Sequence, residues 1–182
     1  MTGDDSGGIG AVIVRRATVC DCARCQEIAV AAWAPIYAER RRLVGDHLFA
    51  LLHSRWHEDK ASEIVRAFRR EPLEILVACL AEPAAPGGAQ ASGETIVGFV
   101  TYHIDEQRRI GTIGNNAVDP AYQGRGIAQA LYHEVLAQFR SGGMRAARVT
   151  TGLDAAHAPA RAAYRKVGFR LAVPSVTMYL EL

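Results

Sequence analysis

The sequence predicts a mixed α/β fold with one parallel β-α-β crossover, and three patterns along the chain point to it. Apolar residues at helical spacing fill the first third, and short apolar runs of strand length fill the middle. After residue 109 a strand, a glycine turn, an amphipathic helix and a further strand follow in succession. Val12, Ile13 and Val14 read as a short strand. From Asp21, a suitable N-cap, the positions Ile28, Ala32, Trp33, Ile36 and Tyr37 recur at helical spacing and predict a helix ending near Glu39 to Arg42. Leu48, Leu51, Leu52 and Trp56, then Ile64, Val65 and Phe68, predict a second helical region closed by Pro72. Ile75 to Ala81 is a continuous apolar run of strand length, and the breakers between residues 82 and 93 predict a long hairpin loop. Strands are expected at Thr95 to His103 and Arg109 to Val118. A helix should begin near Gly124, carry Ile127, Leu131, Val135 and Phe139 on one face, and stop at Gly142 and Gly143. A strand at Ala146 to Thr151, a helix at Pro159 to Val167 and a strand from Phe169 onward complete the order, with Val176, Met178 and Leu180 alternating at the end.

At 182 residues the chain has the length of one domain, expected over residues 11–182 behind a flexible tail at residues 1–10 that contains four glycines. Hydrophobic residues at 49% and charged residues at 22% suit a globular domain with a real core. A net charge of +2 creates no field that would argue for nucleic acid or an anionic membrane as partner. No run approaches the length of a membrane span, and the acidic, glycine-rich start lacks the pattern of a secretory signal, so a cytoplasmic location is expected. Cys20, Cys22 and Cys25 crowd together, but no second cluster or nearby histidine completes a metal site. They read as reduced thiols at the start of a helix, and no metal is expected.

Val118 to Ala128 is the most informative stretch. A strand entering a glycine-rich turn and then a helix leaves several backbone N–H groups unpaired, with the positive end of the helix dipole behind them. Gly124 and Gly126 would let an anion approach the backbone, and Arg125 would add charge at the rim. A P-loop is a poor match because no Lys-Ser or Lys-Thr follows the glycines. A dinucleotide fold is a poor match because Gln129 stands where its third glycine belongs and the turn comes late in the chain. The same glycines would also serve a plain strand-to-helix turn.

Gln123 to Ala128 resembles the Q/R-x-x-G-x-G/A pyrophosphate loop of the GCN5-related N-acetyltransferases, preceded by Val118-x-Pro120. Downstream, Ala160-x-x-x-Tyr164-x-Lys166-x-Gly168-Phe169 resembles the next helix and strand of that family. The resemblance implies a mostly antiparallel central sheet flanked by helices, with the parallel crossover at the acetyl-coenzyme A loop. It implies that the backbone of Gln123, Gly124, Arg125, Gly126, Ile127 and Ala128 holds the pyrophosphate of acetyl-coenzyme A, and that Ala117 and Val118 pair with the pantetheine arm. It gives Tyr164 the role of general acid toward the departing thiolate. His157 stands where many relatives have an asparagine that touches the cofactor, and it would either replace that contact or cap the helix begun by Pro159.

Trp33 and Tyr37 fall where the first helices of the family border the acceptor pocket, and would be substrate contacts or plain core. Asn115 and Asn116 sit where relatives splay the strand beside the acceptor, and would bind substrate or satisfy a bulge. Arg161, Arg165 and Lys166 would meet the adenosine phosphate or face solvent. The fourth strand holds no acid or histidine, so the base that takes the proton of the amine is left to Glu39, His47 or His103. The resemblance thus implies an N-acetyltransferase acting on the primary amine of a small molecule, peptide or protein, by direct attack in a ternary complex, with a homodimer through the last strands also open. The alternative is an inactive coenzyme-A-binding sensor or interaction module.

Overall fold

Six consecutive buried residues, Ile75 to Leu80, show how the sheet is covered. A strand buried at every position must have a layer on each face. The computed structural model of the protein describes residues 11–81 and 94–181; the expected tail at 1–10 and hairpin loop at 82–93 lie outside the described residues. The strands are β1 (Val12–Arg16), β2 (Ile75–Ala81), β3 (Glu94–Asp105), β4 (Ile110–Val118) and β5 (Ala146–Val149), and the helices are α1 (Cys22–Val44), α2 (Asp46–His53), α3 (Trp56–Phe68), α4 (Ile127–Ser141) and α5 (Ala158–Lys166). The sheet order is β1-β2-β3-β4-β5, antiparallel throughout except for the parallel β4–β5 pair. This is the mixed α/β, mostly antiparallel architecture with one crossover that the sequence predicted.

The side-chain period of two sorts β2 between two cores. Leu76, Ala78 and Leu80 join Ile127, Leu131, Val135 and Phe139 of α4 on one face. Ile75, Val77 and Cys79 join Cys25, Ile28 and Ala29 of α1 and Ile64 and Phe68 of α3 on the other. Each large residue fully withdrawn from water contributes about 1.5–3 kcal/mol, so the two faces stabilise the sheet comparably. Gly111 lets α4 approach β4, because a Cβ there would lie 2.3 Å from the Phe139 ring.

Two features of β4 shape the sheet around it. Val100 pairs with Asn116 and Tyr102 with Ile113, so Gly114 and Asn115 together oppose Thr101 in a β-bulge. A Cβ on Gly114 would stand 2.5 Å from the Thr101 hydroxyl. Pairing with β5 then covers only Ile110 to Ile113, and the two strands part beyond it. β5 therefore ends at Val149, two residues before the expected Thr151.

Several expectations need correction. Asp21 precedes α1 but its side chain does not cap it. The carboxylate turns back to accept from the Thr18 amide at 2.7 Å and from Arg15 Nη1 at 2.8 Å. Burial pushes its pKa up, but these hydrogen bonds and the Arg15 charge more than offset that and leave it below the usual value. α1 runs on through the exposed Pro35 to Val44 and stops at Gly45, whose φ of 80° breaks the helix. The second helical region is two helices, and the crossover helix starts at Ile127, not Gly124. The strand expected from Phe169 is absent: residues 169–181 lie outside the sheet, with Leu171, Val173, Val176, Met178 and Leu180 exposed. Alternation supplies a face for a strand but not a partner edge, and among the described residues no strand pairs with them. Among the described residues no helix is long and apolar enough to cross a membrane.

Candidate active site

Where β4 and β5 separate, the gap is bordered by Asn115, Asn116, Ala117 and Val118 on one side and by the chain leaving β5 on the other. A small cleft opens there, lined by Asn116, Ala117 and Val118 with Phe99 behind them and Ala128, Leu131 and Tyr132 of α4 alongside. The two asparagines diverge. Asn115 Oδ1 accepts from Lys60 Nζ at 3.3 Å on the α3 side. Asn116 points to the α4–α5 side, where Tyr132 donates to its Oδ1 at 2.6 Å and its Nδ2 donates to the Gly114 carbonyl at 2.9 Å and to the Tyr164 oxygen at 3.0 Å.

The glycine turn lies at one end of the gap. Asp119 accepts from the Ala121 amide at 2.9 Å and is ion-paired with Arg24 of α1, and Gln123 Nε2 donates to the Val118 carbonyl at 3.0 Å. Gly124 and Gly126 hold φ of 78° and 80°, the left-handed region that favours glycine. A Cβ on either would meet nothing within 4 Å, so the space above this backbone is open. Gly126 is also the N-cap of the 15-residue α4 and provides no side chain to cap it. The first amides of α4 thus face outward with the helix dipole behind them, an arrangement that suits a phosphate anion. Arg125 stands at the rim with its guanidinium 5.4 Å over the centre of the Tyr122 ring.

Tyr164, bonded to Asn116, is only 5% exposed, with its ring 4.9 Å from that of Tyr132 and 5.9 Å from that of Phe169. Burial raises its pKa, while the hydrogen bonds with Asn116 and Tyr132 pull it part of the way back. Burial raises that of Tyr132 as well, helped by its Tyr164 neighbour. Both phenols are therefore protonated at neutral pH. Seven residues before Tyr164, His157 Nδ1 sits 2.7 Å from the Asp154 carboxylate, which also accepts from the His157 amide at 3.1 Å. Burial pushes the Asp154 carboxyl up, but the hydrogen bond and charge of His157 hold it below the usual range. A Cβ on Gly152 would collide with this pair at 2.4–2.5 Å. Arg161 donates to the carbonyls of Gly152 and Asp154 at 2.6 and 2.7 Å, so it braces this turn, whereas Arg165 and Lys166 are exposed.

Beside Asn115, Lys60, 5% exposed, places its ammonium 4.3 Å over the Trp33 ring and 2.5 Å from Glu63. Sequence reasoning missed Lys60, although its spacing of four from Ile64 and eight from Phe68 puts it on the buried stripe of α3. It also missed Tyr132. Tyr37 is closed off by Trp56, stacked at 4.3 Å, by the edge of His53 and by Arg40. Of the residues considered as base, Glu39 is bound by Arg42, whose hydrogen bonds lower its pKa. His103 pairs with Glu74 on the joined part of the sheet, and His47 faces Glu181 from α2. Cys20 is exposed, Cys22 half-buried and Cys25 buried, with the Cys25 thiol pushed up to about 12 by burial. Among the described residues no group of three or more His, Cys, Asp or Glu side chains is placed to hold a metal.

The model of the acetyltransferase (GNAT) family matches residues 46–169. Among solved structures, the chain is similar to the PaiA N-acetyltransferase of Thermoplasma acidophilum in complex with coenzyme A, at 19% identity over 91% of this chain and 93% of that one, with a TM-score of 0.62. It is similar to a GNAT family acetyltransferase of Brucella melitensis in complex with acetyl-CoA, at 21% identity over 88% and 84% of the two chains, TM-score 0.51. A transcriptional regulator of Bacillus halodurans is likewise similar, at 19% identity over 93% and 100%, TM-score 0.57. At these identities the likeness is one of fold. No curated protein matches the chain in sequence.

Proposed function

This chain belongs to the acetyltransferase (GNAT) family, and on that premise we propose that it moves an acetyl group from acetyl-coenzyme A to a primary amine of a small molecule, peptide or protein, by direct attack in a ternary complex. One observation carries the reading: the gap between β4 and β5 has an open, uncapped glycine turn at one end and, on its β4 edge, Asn116 bonded to the buried Tyr164 hydroxyl. The residues present suit acetyl-coenzyme A. The outward amides of the turn and of α4 match a pyrophosphate, and the edge of β4 at Ala117 and Val118, which β5 does not reach and where Gln123 now holds the Val118 carbonyl, matches an amide-bearing arm. Similar folds in complex with coenzyme A and with acetyl-CoA support the same ligand here.

Acetyl-coenzyme A, when bound, supplies the activated acetyl thioester. Tyr164 gives its proton to the sulfur as the carbon–sulfur bond breaks, a task open to a phenol that stays protonated until this step. His157, braced by Asp154, borders the cofactor arm in place of the asparagine of many relatives. Trp33, Lys60 and Asn115 border the acceptor side. The Cys25 thiol, held protonated by burial, has no part in a direct attack.

The test is release of free thiol from acetyl-coenzyme A across a panel of amines, amino sugars and peptides. Sustained turnover with any acceptor is expected, and binding of acetyl-coenzyme A without turnover on any of them would leave the chain a sensor module.

A further inference from the structure

We propose that Asn116 and Tyr132 are positioning residues that aim the proton of Tyr164 outward into the gap, an inference that rests on the acetyl-transfer reading above. The orientation of the Asn116 amide is set by its neighbours. The Gly114 carbonyl, 2.9 Å away, can only accept, so the nitrogen end of the amide faces it. The second N–H of the same nitrogen then points at the Tyr164 oxygen at 3.0 Å. The oxygen end faces Tyr132, whose hydroxyl donates to it at 2.6 Å.

Tyr164 is thereby made an acceptor at this contact. Donation from Tyr164 to Asn116 Oδ1 would span 3.3 Å, and it competes with the shorter bond from Tyr132. With Tyr132 the nearer donor to Oδ1, the Tyr164 proton is held there only at 3.3 Å and turns readily to a group in the gap, and the Asn116 N–H stands where negative charge develops once that proton leaves. Tyr132 therefore acts at one remove: without its hydroxyl, Oδ1 becomes the nearest acceptor for Tyr164 and the proton turns inward. The two phenols differ in partners in the same sense, since Tyr132 donates to an amide oxygen while Tyr164 receives an amide N–H. In the step itself the amine nitrogen bonds to the carbonyl carbon, the carbon–sulfur bond breaks, and the electron pair departs on sulfur, which takes the proton of Tyr164. The proton shed by the amine returns to the phenolate through solvent, so none is gained or lost.

A double-mutant cycle on kcat tests this, with the fastest of a diamine, an amino sugar and a tripeptide as acceptor, or with water where no amine turns over. Asn116→Ala should lower kcat on the order of 10²-fold, the scale of one donor lost from a developing charge. Calorimetric affinity for acetyl-coenzyme A should stay within about threefold, since neither residue forms the glycine turn. Adding Asn116→Ala to Tyr164→Phe should slow the enzyme by no more than about twofold beyond Tyr164→Phe alone, the precision to which non-interacting changes are resolved. Tyr132→Phe should cost about tenfold in the native background and nothing in the Tyr164→Phe background. Losses that multiply in the double variants mean a merely structural role and overturn the proposal, as does normal kcat in Asn116→Ala. Where Asn116→Ala does not fold, the Tyr132→Phe arm decides by the same criteria. If Tyr164→Phe itself keeps full kcat, the general-acid reading falls and the proposal falls with it; if only the Asn116 and Tyr132 effects fail, the acid reading stands.

Discussion

Two regions beside the gap between β4 and β5 are made of different material. The turn from Gln123 to Ala128 is built of backbone, with glycine φ angles near 80° and a helix end without a side-chain cap. The other region is built of side chains delivered by three separate elements, Trp33 from α1, Lys60 from α3 and Asn115 from β4. A backbone site is dictated by consecutive residues and fixes what can bind to a generic anion. A side-chain site is assembled by topology, and each of its members can change without disturbing the turn.

Substitutions can break or sharpen that contrast. The largest effect is expected at Tyr164, bonded to Asn116 of β4. Tyr164→Phe should lower kcat by a factor on the order of 10²–10⁴, as for loss of a general acid, while affinity for acetyl-coenzyme A holds. Gly126→Val strikes the backbone side. A β-branched residue at a left-handed φ costs about 1–2 kcal/mol and lines the open space above the turn, so affinity for acetyl-coenzyme A should drop at least about tenfold by calorimetry in a folded protein. An unchanged affinity would mean that the turn is only a turn. Trp33→Ala strikes the other side: it removes the ring under the Lys60 ammonium and should raise the acceptor KM by roughly two- to tenfold, the value of one aromatic contact, with cofactor affinity untouched. A loss of cofactor affinity instead would show that the two regions are not separable. The smallest effect is expected for Cys20→Ser with Cys22→Ser, which should leave turnover within about twofold, as for exposed or half-buried sites away from the chemistry. Adding Cys25→Ser should lower the Tm without changing kcat, because that thiol is fully buried.

The same contrast explains what could be read from the chain. Gly124 and Gly126 were legible because left-handed backbone demands glycine, and Tyr164 was legible through the spacing that ties it to Gly168 and Phe169. The strand Ile75–Ala81 and the buried stripe of α4 followed from the apolar pattern alone. Lys60 could be read onto the buried stripe of α3, but its pairing with Asn115, like that of Tyr132 with Asn116, could not, since each pair lies more than ten residues apart and only the sheet topology joins it. The alternation of Val176, Met178 and Leu180 misled for a related reason: a pattern of period two describes one strand, while strand formation needs a second.

The extra residue in β4 acts as a frameshift. Ile113 belongs to the core under α4, and by strict alternation Ala117, four residues on, would belong there too. It belongs instead to the core under α1, because Gly114 and Asn115 together take the place of one residue opposite Thr101. Every side chain after the bulge is written in the opposite phase from every side chain before it. Flattening the bulge with every residue kept would send Asn116 toward α1 and deprive Tyr164 of its partner, whereas deleting Gly114 would restore plain alternation with Asn116 still toward α4.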